Sequence, residues 1–366
     1  MAAATPRPRR PGAFHRLRVA AVEPVAADAV AVTFAVPWRL RAAFRFQAGQ
    51  HLTLRTTLDG AELRRSYSLC TPAPDGPLRV AVRRLPGGAV SSLVHDRLRP
   101  GDAVEVMEPA GGFTVAFDPS ARRRYCAIAA GSGITPVLSL VATALATEPA
   151  SEVVLLYGNR TAASTMFVDE IADLKDRHLD RLQVLHVLSR ERQELELATG
   201  RLDGPKLRAI FSGLVAPRAV DLFWLCGPDA MVHEAQAVLA AAGVAPAAVR
   251  TELFFVEERP PQRSAAEATA LARGGTVRVT ARLGGRETTF TMARAGTLVD
   301  GFLAVRPDVP FSCKGGVCAT CRARLLEGEV AMDHSYALEP GERARGWVLT
   351  CQAHPLTDEV VVDYDG

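Results

Sequence analysis

From His15 to about Asp118 the chain alternates apolar and polar residues in short runs: Leu17-Arg-Val-Ala-Ala-Val, Val30-Ala-Val-Thr-Phe, His51-Leu-Thr-Leu-Arg, Leu78-Arg-Val-Ala-Val and Ala103-Val-Glu-Val-Met. A period of two turns one side chain inward and the next outward. Gly, Pro and Asp turns separate the runs at strand-like intervals, so the stretch predicts an antiparallel barrel, interrupted by one helix near Ser91–Leu98. After Arg122–Arg124 the runs become continuously apolar and alternate with helical stretches. Tyr125-Cys-Ala-Ile-Ala-Ala leads to Val137–Thr147, Val153-Val-Leu-Leu-Tyr to Phe167–Arg177, and Asp221-Leu-Phe-Trp-Leu-Cys to Asp229–Ala242; Leu182–Leu188 and Val249–Phe255 are further strands. Strands apolar on both faces and interleaved with helices predict a doubly wound α/β domain, with ligands at the carboxyl ends of its strands.

Glu257–Gly275 loses this periodicity and predicts a linker, with a hinge and a helical turn at Ala265–Leu271. Thr276–Met292 then reads as a hairpin around Gly284-Gly285, Leu298–Val305 as a short helix, and Cys321–Leu326, Gly328–Met332 and Glu359–Asp363 as strands, a small α+β domain. The expected organisation is a flexible basic tail over 1–13, a barrel over 14–119, the α/β domain over 120–256, a linker over 257–275 and a third domain over 276–366.

Composition narrows the class. Among 366 residues, 48% are apolar and 23% charged, which supports packed cores and excludes a disordered or fibrous chain. The longest apolar runs, such as Val137–Ala146, stop short of the ~18 residues of a membrane span and are broken by Ser139 and Thr143. No membrane association is therefore expected. Met1–Arg18 has no apolar core with a small-residue cleavage site, so no secretory signal is expected either. A net charge of +3 does not argue for nucleic acid, although a basic face can steer an acidic protein partner. Seven cysteines, three of them within nine residues, suit a metal cluster in a reducing cytoplasm better than a disulfide framework.

The most specific chemical signal is Cys313-x4-Cys318-x2-Cys321 with Cys351 some thirty residues later, the plant-type 2Fe-2S spacing. Lys314-Gly-Gly-Val lets the backbone curl round a cluster, with the amides of Gly315 and Gly316 free to point at sulfur. Zinc sites use CxxC pairs or histidine, and neither His334 nor His354 stands at such a spacing. Cys70 and Cys126 read as small buried side chains. In the barrel, Arg65-Ser66-Tyr67-Ser68 ends a strand. Arg65 suits a pyrophosphate, Tyr67 a ribityl and ring system, and Ser68 a flavin N5. Gly87-Gly88-Ala-Val90-Ser91-Ser-Leu leads into a helix whose start can receive phosphate, Val82 precedes it, and Pro109-x-Gly111-x-Phe113 closes the barrel.

Gly131-Ser-Gly133-Ile-Thr135-Pro136 follows the first buried strand and opens a helix, the setting of a dinucleotide phosphate turn, with Pro136 where a third glycine is usual. The second strand ends in Tyr157-Gly-Asn159-Arg160 and the third in Ser189-Arg190. Arginine where an acid would hold the ribose favours NADPH over NADH. Cys226-Gly227-Pro closes the fourth strand, and Cys226 is placed beside the nicotinamide ring, a buried core cysteine being the alternative. Glu252, ending the last strand, either lies near the reacting rings or forms a salt bridge. Ser68, Cys226 and Glu252 are the candidate catalytic residues.

In this order, Arg-x-Tyr-Ser, the glycine-led Ser-Ser turn, Gly-x-Gly-x-x-Pro, Cys-Gly-Pro and the C-terminal cysteines resemble the ferredoxin-NADP reductase superfamily with a fused plant-type ferredoxin. The resemblance implies a six-stranded antiparallel FAD-binding β-barrel, an α/β doubly wound NAD(P)-binding domain and an α+β β-grasp ferredoxin domain. It also implies electron flow from NADPH through FAD and the 2Fe-2S cluster to an oxygenase. Val187-Leu-Ser-Arg-Glu-Arg-Gln with Gly200-Arg-Leu-Asp-Gly, Phe311-Ser-Cys-Lys-Gly-Gly-Val-Cys, Tyr336-Ala-Leu-Glu-Pro and Val348-Leu-Thr-Cys-Gln-Ala-His-Pro-Leu-Thr-Asp are similar to the reductase subunits of bacterial phenylacetyl-CoA epoxidases, whose partner is a diiron oxygenase. Another oxygenase as acceptor, for steroids or aromatic rings, and a redox-sensing or scaffold subunit are the competing readings.

Overall fold

The computed structural model of the chain describes residues 12–58, 60–254, 260–338 and 340–366. The tail expected over 1–13 therefore lies, up to residue 11, outside the described residues, as do Phe255 and the linker residues 257–259. Six antiparallel strands form the first body: β1 (Phe14–Ala26), β2 (Ala29–Ala35), β3 (His51–Leu58), β4 (Ala61–Ser68), β5 (Leu78–Arg83) and β6 (Ala103–Met107), with α1 (Ala89–Asp96) between the last two. Their order is β4-β3-β6-β1-β2-β5, and a bridge between Leu69 and Val80 joins the two edges, so no open edge is left at the closure. The alternating apolar positions Leu17, Val19, Val32, Phe34, Leu52, Leu54, Val80 and Val82 fill its interior.

The second body is a five-stranded parallel sheet in the order β11-β10-β7-β8-β9, built from β7 (Arg124–Ala130), α2 (Ile134–Thr147), β8 (Glu152–Asn159), α3 (Val168–Arg177), β9 (Leu182–Leu188), α4 (Gly204–Gly213), β10 (Leu222–Gly227), α5 (Asp229–Ala241) and β11 (Val249–Leu253). The sequence pattern did not announce α4. Its start carries helix signals, Asp203 accepting from the Lys206 amide as cap and Pro205 in the first turn, but its apolar stripe is short. Helix α2 is apolar all round because it is covered on both sides, by the parallel sheet and by the barrel. The two hydroxyls that interrupt it serve the second contact: Ser139 Oγ donates to Thr71 O at 2.6 Å, and Thr143 Oγ1 accepts from the Ala73 amide at 2.9 Å.

The third body packs β12 (Thr276–Leu283), β13 (Arg286–Ala293), α7 (Leu298–Leu303), β14 (Arg322–Glu327), β16 (Trp347–Leu349) and β18 (Glu359–Asp363) into a mixed sheet ordered β13-β12-β18-β14-β16, preceded by α6 (Ala265–Ala272). A two-stranded ribbon of β15 (Val330–Met332) and β17 (Ala353–Pro355) and the one-turn α8 (Pro340–Ala344) complete it. Gly284 and Gly285 both adopt the positive φ that a two-residue hairpin loop requires. The described part of the expected linker is not slack. The Gln262 amide donates to Asp333 O at 2.9 Å, Arg263 pairs with Asp333, and Leu271 is buried, so this segment belongs to the third body.

The turn after β7 meets the turn after β10 at Gly133, where an added Cβ would stand 2.1 Å from the Cys226 carbonyl oxygen. Since that neighbour is backbone, Gly133→Ala is expected to cost about 2 kcal/mol or more. Denaturant unfolding should show a lowered midpoint; an unchanged one would mean that the two turns do not touch.

Candidate functional site

Strand β4 is the hub. Its register with β3 pairs Ser68 with His51, Ser66 with Thr53 and Arg64 with Arg55, so these six side chains share one face, while Tyr67 and Arg65 share the other with Leu52 and Leu54. The tetrapeptide Arg65-Ser66-Tyr67-Ser68 therefore cannot present all four side chains to one ligand surface. Tyr67 packs partly into the barrel core, and burial lifts its hydroxyl to about 12. Arg65 is exposed and, among the described residues, donates to its neighbour's carbonyl at 2.7 Å. Ser68 is buried and donates to Glu252 Oε2 at 3.3 Å, across the junction between barrel and parallel sheet.

Glu252 is the register partner of Cys226 on the next strand, so β4, β10 and β11 bring together the three residues singled out for catalysis. Burial pushes the Glu252 carboxyl up to about 8, with the Ser68 hydroxyl opposing weakly, and no cation among the described residues forms a salt bridge with it. Cys226 is fully buried, and its thiol is pushed well up, first by desolvation and then by Glu252. Its ionisable neighbour Glu252 is held protonated by burial, so the thiol is not activated as a nucleophile. Cys70 and Cys126 are buried with thiols raised to about 12 by desolvation, as inert core residues are.

The remaining flavin-side candidates divide. Gly87 and Gly88 form the turn before α1, and Ser91 Oγ closes it by donating to Gly88 O at 3.0 Å while accepting from the Leu85 amide at 3.2 Å. Val82 and Val90 are core residues of the barrel. Val90 also borders a groove of about 640 Å³ beside Val94 and Leu98, away from Ser68. Arg65, Tyr67 and this turn are of the residue types an anionic aromatic dinucleotide such as FAD requires.

At the carboxyl edge of the parallel sheet, Gly131-Ser132-Gly133 makes one tight turn between β7 and α2, stitched by Thr135 Oγ1 donating to Ser132 O at 3.0 Å. Pro136 falls in the first turn of α2, where an amide N–H would have no helical partner. Gly227 lies against Ala130 and Met231. Asn159 is 8% exposed, and its amide lies against the Tyr157 hydroxyl without a well-formed hydrogen bond. A buried amide left in that state costs about 1–3 kcal/mol, which a bound nucleotide can relieve. Arg160 is paired with Asp28 of the barrel at 2.8 Å, whereas Arg190 is exposed and makes no side-chain pairing among the described residues. Ser189 is held through its amide to Asn159 O. Arg83, which the sequence pattern hid inside a barrel strand, reaches over the turn. A Cβ on Gly131 would stand 2.9 Å from its Nη1, and it pairs with Asp28 at 3.3 Å.

The four expected ligand cysteines converge. They lie near enough to perturb one another's titration: Cys318 and Cys351 hold Cys313 low and Cys351 holds Cys321 low, while Cys318 and Cys351 are pushed up by the same neighbours and by burial. The Gly315 amide donates to Cys313 Sγ at 3.3 Å. Four cysteines gathered in one place, with an amide aimed at sulfur, fit a two-iron cluster.

The cysteine loop sits against the same face of β3 and β4. His51 Nε2 is hydrogen-bonded to Thr320 Oγ1 at 3.1 Å, and Ser66 Oγ donates to Ser312 Oγ at 2.9 Å. Arg64, 4% exposed, donates to Val309 O at 3.2 Å and lies between the Phe14 ring at 5.0 Å and the Phe311 ring at 3.9 Å. Nothing in the sequence motifs marked His51, Arg64 or Thr320. The only available signal was a buried-strand pattern carrying charged residues on one parity.

Comparison with known proteins gives three domain matches: residues 16–115 to the oxidoreductase FAD-binding domain, 127–237 to the oxidoreductase NAD-binding domain and 281–356 to the 2Fe-2S iron-sulfur cluster binding domain. The chain is 45% identical to one of the subunits of the 1,2-phenylacetyl-CoA epoxidase of Escherichia coli (strain K12), over 96% of this chain and 98% of that protein. It is 35% identical to the ferredoxin reductase component of the 3-ketosteroid-9-alpha-monooxygenase of Rhodococcus rhodochrous, over 95% and 96%. Its fold is similar to that of phthalate dioxygenase reductase, with a TM-score of 0.56 at 23% identity, covering 96% of this chain and 98% of that one.

Glu252 yields a prediction about pH. Its carboxyl keeps a proton in the folded state up to about 8 but loses it in the unfolded chain near the ordinary glutamate value of 4.5. Between those values the folded state binds the extra proton, so this group's contribution to stability falls as pH rises. The Tm of Glu252→Gln relative to the unsubstituted protein should climb from pH 5 to pH 8; a flat difference would show an ordinary carboxyl.

Proposed function

The chain belongs to the ferredoxin reductases that carry their own C-terminal 2Fe-2S domain, NAD(P)H-dependent oxidoreductases that serve as electron-transfer components of oxygenases, and from that premise we propose that it is the NADPH-using reductase of a cytoplasmic phenylacetyl-CoA epoxidase. The observation that carries the choice of acceptor is the 45% identity to the Escherichia coli epoxidase component along nearly the whole length of both chains. The 35% identity to a ketosteroid monooxygenase component supports the second reading, a steroid oxygenase as acceptor. Seven cysteines, four of them at the 2Fe-2S spacing, suit a reducing compartment better than a disulfide framework. Among the described residues no helix is long and apolar enough to cross a membrane.

When bound, the nicotinamide, flavin and iron–sulfur cluster supply the redox chemistry, accepting electrons as a pair and releasing them singly. The chain supplies position and charge. Arg65 and the Gly87-Gly88 turn hold the flavin's phosphates and Tyr67 its ring system. The Gly131–Gly133 turn, with Arg83 above it, holds those of the nicotinamide dinucleotide. Ser68, Cys226 and Glu252 line the place where the two ring systems meet. There Glu252 stays uncharged at neutral pH and, with the Ser68 hydroxyl, offers a proton-holding pair at the edge of the barrel. Arg190, with Ser189, takes the 2′-phosphate, since Arg160 is committed to Asp28. Cys313, Cys318, Cys321 and Cys351 ligate the cluster.

Anaerobic mixing with NADPH should bleach flavin and then cluster absorbance; absence of bleaching would leave only the redox-sensing or scaffold reading. Arg190→Ala should cut the preference for NADPH over NADH roughly tenfold or more, the worth of one charge-assisted hydrogen bond, and an unchanged preference would put the phosphate elsewhere. Reconstituted with the epoxidase's other components, NADPH oxidation should match phenylacetyl-CoA consumption. Equal or better coupling to a ketosteroid oxygenase would favour the second acceptor.

A further inference from the structure

The seam between barrel and ferredoxin domain is built from one face of two strands, and its central group is a buried cation. Arg64 stands on β4 two residues from Ser66 and four from Ser68, all on the same face. Its Nε donates to Glu62 Oε1 at 2.8 Å within the barrel, while Nη1 and Nη2 donate across the seam to Val309 O at 3.2 Å and Pro307 O at 3.5 Å. The guanidinium carbon stands 5.0 Å from the Phe14 ring of the barrel and 3.9 Å from the Phe311 ring of the ferredoxin domain. A desolvated guanidinium with its donors spent on both sides resists sliding, because any displacement leaves a buried charge short of partners. Two neutral hydrogen bonds also cross the seam, Ser66 to Ser312 and His51 to Thr320.

We propose that Arg64 is the positioning residue for internal electron transfer, clamping the segment Pro307–Ser312 to the barrel so that the cluster loop stays fixed beside the Ser66–Ser68 end of β4. The proposal rests on the reductase function given above. The step it governs moves one electron at a time from flavin reduced by NAD(P)H to the oxidised cluster, with no atom transferred. Transfer of this kind falls steeply with distance, so a loosened clamp slows it without touching hydride delivery.

The test uses the full-length holoprotein carrying Arg64→Met, which keeps the stem and loses the charge and fork, and Arg64→Lys, which keeps the charge alone. Stopped-flow mixing with NADPH should show flavin reduction at the unsubstituted rate. Appearance of the reduced-cluster electron paramagnetic resonance signal should slow roughly ten- to hundredfold in R64M and less in R64K, the scale of loss a displaced reacting group brings. Trypsin should cleave more quickly between the parallel-sheet and ferredoxin domains in R64M. Cluster reduction and cleavage at the unsubstituted rates in both variants would overturn the clamp. Failure of the unsubstituted protein to reduce its flavin would instead overturn the reductase function, and the cleavage comparison would still decide the clamp.

Discussion

A β-strand has two faces, and on Ala61–Ser68 the demands on each are different in kind. One face must close a small barrel with Tyr67 beside Leu52 and Leu54. The other meets both remaining domains: Ser68 touches Glu252 of the parallel sheet, and Ser66 and Arg64 touch the ferredoxin domain. At about 3.3 Å per residue, the four steps from Arg64 to Ser68 span roughly 13 Å of rigid backbone. The place where the ring systems would meet and the place where the cluster domain is held are thus separated by a strand, not by a flexible loop.

Such a junction excludes water, and the ionisable groups in it are arranged accordingly. Burial keeps Glu252 protonated at neutral pH and pushes the His51 imidazole down to about 4, so both stand uncharged. Arg64 remains the exception, and its charge is matched by Glu62, two carbonyls and two aromatic faces. A buried charge is kept here where it is well partnered, as the cost of burying an unpaired ion demands.

Much of this was legible in the residues. Period-two alternation gave the barrel strands and continuous apolar runs the parallel ones, because each pattern reports how many faces of a strand are covered. The cysteine spacing is a local pattern because thiolate ligation would fix it, and Cys226 and Glu252 could be placed together because they end adjacent strands, where the structure pairs them. Side-chain commitments were not. Arg160 and Arg190 look alike in sequence, yet only the first has Asp28, 132 residues away, within reach. Helix α4 escaped because its apolar stripe is short. His51, Arg64, Arg83 and Thr320 matter through partners in other domains, and no local pattern encodes those distances. The linker looked loose by composition, but Arg263 and Gln262 tie its described part to Asp333.

The seam also bears on how such chains can be assembled from modules. Gly12 rests against Asp308 and Pro310, and Phe14 lies under Arg64, so the chain's first described residues and the approach to the cysteine loop meet at a keyed joint. A ferredoxin module exchanged between relatives brings its own backbone carbonyls to that joint, which any sequence supplies, but Phe311, Ser312 and Thr320 must travel with it and Phe14, His51, Arg64 and Ser66 must be waiting. Compatibility between modules is therefore written in seven side chains, four on one module and three on the other, and gene fusion alone does not confer it.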